Sequence, residues 1–174
     1  MKSLYESILD KDYDGTPTDF LKAKEWIDCY CEGVKGLKLN KDGTINCDEL
    51  RIRQWCNLFD FPEYIKFKHI GKLSIIDVQQ WNGTNWPETI DKLYIDNIPG
   101  FKDLTSLSTC KYIKELIIVE CNLEKKLKPK SCKFGTVTIL RCLPWLTTSD
   151  QRDAMKHDWQ QELYKHKASL VKFG

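Results

Sequence analysis

"KELIIVECNL", Lys114 to Leu123, places Leu116, Ile118, Cys121 and Leu123 at offsets 0, 2, 5 and 7 from its first leucine. The spacing returns elsewhere in the chain. "KLSIIDV" puts Leu73 and Ile75 at offsets 0 and 2, and "KLYIDNI" puts Leu93 and Ile95 there. "TVTILRC" supplies Val137 and Ile139 with Cys142 at offset 5, and "ELRIRQW" supplies Leu50 and Ile52. The anchors Leu50, Leu73, Leu93, Leu116 and Val137 are 23, 20, 23 and 21 residues apart. Copies at nearly one spacing read as coils of a repeat.

Offsets 0 and 2 lie on one face of a strand, because side chains alternate. Stacking the coils buries that face against its neighbours. A small polar or thiol side chain at offset 5, such as Cys121 or Cys142, sits inside the bend and is expected to bond the backbone of the next coil. Leu123 at offset 7 returns to the core, and Pro144 takes that place in the last coil. Trp55, Val78 and Ile98 hold offset 5 in the first three coils, so the spine is irregular and partly apolar. Coils of 20 to 23 residues hold a short strand and a tight return, not a full helix.

The run Leu-x-Ile-x-x-Cys-x-Leu at 116–123 is similar to the leucine-rich repeat consensus. The stretch Trp86–Leu107 and the opening "MKSLYESILD" resemble the irregular leucine-rich repeat proteins of gut bacteria and their phages. The repeat resemblance covers residues 45 to 146. It implies an α/β solenoid: a short parallel sheet of about five coils between an N-terminal helical cap (1–44) and a C-terminal capping helix (147–174), all one folded unit. It also implies a role in a virus or its host, in countering a defence system or in the virion.

The flanks carry helix signals. Thr16 before Pro17 is a cap and first-turn pair, Ala23 and Ile27 follow at helical spacing, and Gly33 is a natural stop. Ser149 and Asp150 open the last helix, with Met155, Trp159 and Leu163 as its apolar stripe. Solenoids need such caps because each end otherwise exposes core.

The whole chain has 174 residues, 41% hydrophobic and 30% charged, with net charge +2. That charge draws the chain to neither nucleic acid nor an anionic membrane. No stretch approaches the roughly 18 apolar residues of a spanning helix. Acids begin at Glu6, so the start lacks the apolar core of a signal peptide and the chain reads as cytoplasmic, in the host cytoplasm or virion if phage-encoded. Its eight cysteines then read as reduced thiols, and Cys29-x-Cys31 as a helix face of small buried thiols, too tight for a zinc knuckle.

Catalytic, cofactor and metal constellations are lacking. His157 and His166 are nine residues apart, the wrong step for a shared metal. Asp10, Asp12, Asp14 and Gly15 echo half a calcium loop, but Leu21 stands where its glutamate belongs. Binding is the better reading. The residues between core anchors line an open strand face: Arg51, Ser74, Tyr94, Ile117 and Thr138 at offset 1, and Arg53, Ile76, Asp96, Val119 and Leu140 at offset 3. This face suits a protein partner or a second copy, in a non-catalytic interaction module. The alternatives are an enzyme with a loop-borne cysteine or carboxylate, such as Cys56 with His69, and a weak nucleic-acid binder through Arg51, Arg53, Lys66, Lys68 and Lys72.

Overall fold

The computed structural model describes residues 17–55, 58–81, 83, 85–144 and 147–174. The opening "MKSLYESILD", the Asp10–Gly15 turn, Thr16 and Cys56 lie outside the described residues. The chain enters through α1 (Pro17–Tyr30), β1 (Cys31–Lys35) and β2 (Lys38–Leu39). It then lays down β3 (Ile45–Ile52), β4 (Leu58–Phe59), β5 (Phe67–Ile76), β6 (Gln80–Trp81), β7 (Thr89–Asp96), β8 (Tyr112–Val119) and β9 (Lys133–Leu140). Helix α2 (Ser149–Lys165) and β10 (Leu170–Phe173) complete it.

The main sheet runs β1-β3-β5-β7-β8-β9-β10. From β3 onward every neighbour is parallel, and β1 and β2 pair antiparallel with β3. The five strands from β3 to β9, with the four returns between them, make a β-solenoid of about four turns. Its register joins Leu50 to Leu73, Leu73 to Leu93, Leu93 to Leu116 and Leu116 to Val137. The repeat anchors therefore form one row across the sheet. Ile52, Ile75, Ile95, Ile118 and Ile139 form a second, and both rows are at most 2% exposed.

A third interior row, Cys47, Ile70, Ile90, Ile113 and Phe134, lies three residues before the anchors and is equally buried. Period-two reasoning misses it because the ladder drops one residue there. Ile70 pairs with Ile90 and Lys72 with Lys92, skipping Gly71 and Asp91, and the other strands skip at the same level. Close backbone approach follows. A Cβ on Gly71 would lie 2.6 Å from the Asp48 carbonyl oxygen, and one on Gly135 would be still closer to that of Lys114.

The returns fill the core's other side. Trp26, Phe59, Phe61, Phe67, Trp81, Trp86 and Phe101 interlock by ring contacts, the tightest being Phe59 on Phe61 at 5.0 Å, edge to face. Ile98, Leu104, Leu107, Leu123 and Leu127 continue that layer in later coils, and Met155, Trp159 and Leu163 of α2 finish it. The Trp159 indole N–H donates to the Lys125 carbonyl at 2.9 Å and its ring lies 6.3 Å from Phe173. So α2 lies on the core side, as the long return of the last coil, and not over the outer strand face.

Three local expectations are corrected. Helix α1 stops at Tyr30, and Gly33 lies inside β1 opposite Arg51. Cys29 is therefore exposed on the helix while Cys31 is buried in the strand, and the two share no helix face. The last helix does not run to the end of 147–174. It stops at Lys165 because Lys167 turns left-handed at φ +70°, with N–H bonds from Lys167 to the Tyr164 carbonyl and from Ala168 to that of Leu163. β10 follows, with Val171 in the anchor row beside Val137. The helix start is better capped than Ser149 suggested: Thr148 and Gln151 form a reciprocal capping box.

Two substitutions test this geometry. Gly135→Ala should destabilise by about 1–3 kcal/mol through overpacking, read as a lower chemical-denaturation midpoint. Gly33→Ala, whose Cβ would meet nothing closer than 3.6 Å, should do much less. Lys167→Gly should instead raise stability by about 1 kcal/mol, because glycine relieves the left-handed strain; an unchanged midpoint would contradict that account.

Candidate functional site

Side chains between the interior rows point out of the sheet on its far side. One residue before each anchor stand Glu49, Lys72, Lys92, Glu115 and Thr136. They largely neutralise each other, with Lys72 3.6 Å from Glu49 and Lys92 3.0 Å from Glu115. The expected face lies above them. Ile76, Tyr94, Asp96, Ile117, Thr138 and Leu140 are half-buried, as neighbours in an uncovered sheet face should be. Register places Tyr94 between Ser74 and Ile117, Ile76 beside Asp96, Ile117 beside Thr138, and Val119 between Asp96 and Leu140. The members of the sequence-derived set on β5, β7, β8 and β9 therefore lie side by side across the sheet.

Two of its members are not open. Ser74 is 6% exposed and Val119 only 2%. Tyr94 stands beside Ser74 and Asp96 beside Val119, and the two are joined along their strand by a 2.9 Å bond from the Tyr94 hydroxyl to Asp96 Oδ2. Burial, and then that bond, raise the tyrosine pKa. Val119 is thus core-like despite its outward offset, and a charge placed there would report on folding rather than on the face.

The basic first coil is also tied down. The Arg53 guanidinium donates to the Asp28 carbonyl at 3.1 Å and to that of Cys31 at 3.5 Å, closing the C-terminal end of α1. Arg51 lies 3.8 Å from Glu32 and Lys68 3.2 Å from Asp42. With Lys72 on Glu49, four of the five cations in the nucleic-acid reading are already held by acids or carbonyls. His69 is held too, its Nδ1 2.9 Å from Thr89 Oγ1 and its Nε2 3.4 Å from Asp91.

Beyond the face the strands end in a row that offset reasoning did not single out. Asp77, Asn97, Glu120 and Arg141, each four residues after its anchor, are left-handed, at φ +54°, +50°, +49° and +51°. Each donates its backbone N–H across to the next coil: Asp77 to Asp96, Asn97 to Val119, Glu120 to Leu140 and Arg141 to Gly174, at 2.8–3.1 Å. Side chains tie the row further, with Asn97 Nδ2 2.7 Å from Asp77 Oδ1 and Arg141 Nε 2.7 Å from Glu120. In the first coil Trp55 takes this role one residue later, at φ +61° and 68% exposed. Asp77 and Asn97 were the available signal, since Asp and Asn tolerate that conformation best, whereas Glu120 and Arg141 carry no such mark.

The offset-5 thiols lie just inside. Cys121 and Cys142 are buried, and the Cys142 sulfur accepts from the Cys121 N–H at 3.4 Å while its thiol donates to the Leu140 carbonyl. The bond thus runs back to the preceding coil, not forward as expected. Burial pushes the Cys121 thiol up to about 12 and Cys47 to about 11.

Comparison with known proteins adds no relative: no family model, curated protein or solved structure matches the chain.

The thiols set a pH expectation. An unfolded cysteine ionises near pH 9 but folded Cys47 and Cys121 hold their protons to about 11 and 12. Their contribution is therefore whole below pH 9 and is lost as pH rises through that window. Denaturation midpoints should fall there, and less steeply in a Cys47→Ser, Cys121→Ser variant. A thiol reagent should meet Cys29 in the native protein, and Cys121 and Cys142 only on unfolding.

Proposed function

We propose that the chain is a non-catalytic, leucine-rich-repeat-like interaction module whose outer strand face takes a protein partner. The observation that carries this is the half-buried group Ile76, Tyr94, Ile117, Thr138 and Leu140 on a parallel sheet whose helix α2 lies on the other side. Parallel sheets are ordinarily covered on both faces. Here no described element covers this one, and a partner would supply the missing layer. Tyrosine is also among the residues that most often carry interface energy. The leucine-rich-repeat assignment rests on the 20–23 residue period, the aligned anchors and the bend cysteines. Helices α1 and α2 act as its caps, α1 through Trp26 on Phe61 and Phe67. The cytoplasmic setting rests on the acidic opening stretch from Glu6, and its assignment to a bacterial host or a phage on the resemblance alone. The buried bend thiols speak against a cysteine nucleophile, which needs a lowered pKa and access.

The test is Ile117→Glu beside Leu116→Ala. Ile117→Glu should keep the circular dichroism spectrum and weaken partner binding by about 2 kcal/mol or more, as loss of an anchor does. Leu116→Ala empties the interior row and should cost about 2–5 kcal/mol of stability. Partner affinity untouched by Ile117→Glu would move the interaction off this face.

A further inference from the structure

We infer that the N-terminal end of the strand-end rim, at Trp55, Asp77 and Asp96, takes an arginine or lysine side chain on an extended segment of the partner, flanked by apolar residues that lie on the strand face. This rests on the strand-face reading and names the chemistry of its partner.

The three residues follow one another across neighbouring coils. The Trp55 N–H donates to the Asp77 carbonyl and the Asp77 N–H to that of Asp96, both at 3.1 Å. Neighbouring strands lie about 4.8 Å apart, so Asp77 stands one such spacing from Trp55 on one side and from Asp96 on the other. Charge then decides the occupant. Acids nearby on the face and rim have cations: Glu49 has Lys35 and Lys72, Glu115 has Lys92, and Glu120 has Arg141. Asp77 and Asp96 have none among the described residues. Each accepts only from a neutral group, Asn97 or Tyr94. Two carboxylates without a cation of their own therefore stand on the two coils that follow an indole 68% exposed. A carboxylate pair beside an aromatic face is the environment that favours guanidinium or ammonium over an anion or a neutral group. Ile76 directly precedes Asp77, and Ile117 and Leu140 carry the apolar surface toward the later coils. The complementary segment is thus a cation next to apolar residues. An acidic segment would meet like charge here.

The probe is a random peptide library displayed on phage and selected on the full chain at low salt. Enriched sequences are then synthesised and titrated by calorimetry. The expected peptides carry arginine or lysine beside apolar residues. Trp55→Ala, and Asp77→Asn with Asp96→Asn, should each weaken them about tenfold, the scale of a partly desolvated cation–π or charged contact. Added salt should weaken the parent more than the double variant. Trp55→Ala should leave the melting curve in place, because that side chain is mostly in solvent; this separates lost recognition from lost fold. Peptides without cations that still depend on Ile117 would overturn the rim inference and leave the strand face standing. Peptides indifferent to both Ile117→Glu and the rim variants would overturn both. No enrichment over an unrelated protein would also overturn the inference, since it requires recognition of a linear segment.

Discussion

The parallel register that holds Leu50, Leu73, Leu93, Leu116 and Val137 in one row is the constraint on which the rest depends. Side-chain alternation means that a one-residue slip in any coil would turn its apolar set outward. Fixing the anchors fixes everything measured from them. The interior rows two residues later and three residues earlier fall into line, and so does the level where each strand drops one residue from the ladder. The nearly equal return lengths follow from the same demand. A return must bring the chain back to one level, whether through Phe59 and Phe61 or through the turn at Thr105–Thr109.

Register alone does not end a strand. The ends are set by left-handed residues, a conformation that costs a side chain about 1–3 kcal/mol when sparsely populated. Asp77, Asn97, Glu120 and Arg141 accept that strain together, and each is held by a backbone bond to the next coil. The strain is therefore coupled to stacking: the conformation is retained because the neighbour supplies the acceptor. Gly174 receives the Arg141 bond in the same way as the residues of the internal coils.

The repeat was legible because its signal, alternating large apolar residues at a fixed period, is the signal of the packing itself. What was hidden had other causes. The row from Cys47 to Phe134 sits three residues before the anchors, and a period of two cannot express the dropped residue between. β10 escaped because its coil is 34 residues from Val137 to Val171, with a helix as the return, and no longer matches the period. The outer face was legible in membership, since alternation assigns it, but not in exposure. Val119 and Arg53 have outward offsets, yet one is buried between Asp96 and Leu140 and the other is committed to the end of α1. Alternation gives the direction of a side chain; what its neighbours cover depends on their size and bonds.

This separation between core and face gives the proposed binding role its physical logic. Three interior rows are fully used by stacking, so substitution there is costly in every coil. The outward residues between them bear little of that load, with Val119 and Ser74 the exceptions. The Arg51–Glu32 ion pair and the guanidinium of Arg53 occupy the first coil, whereas the uncharged residues Ile117, Thr138 and Leu140 gather on β8 and β9. A partner meeting this surface would therefore find a face that hydrogen bonds hold rigid but whose chemistry changes from strand to strand. Little conformational entropy would be lost in ordering such a face, so affinity can come from a few well-placed anchors rather than from a large area. Tyr94 is the best placed of them. Its bond to Asp96 orients the ring in the unbound protein, between the charged coils and the apolar ones.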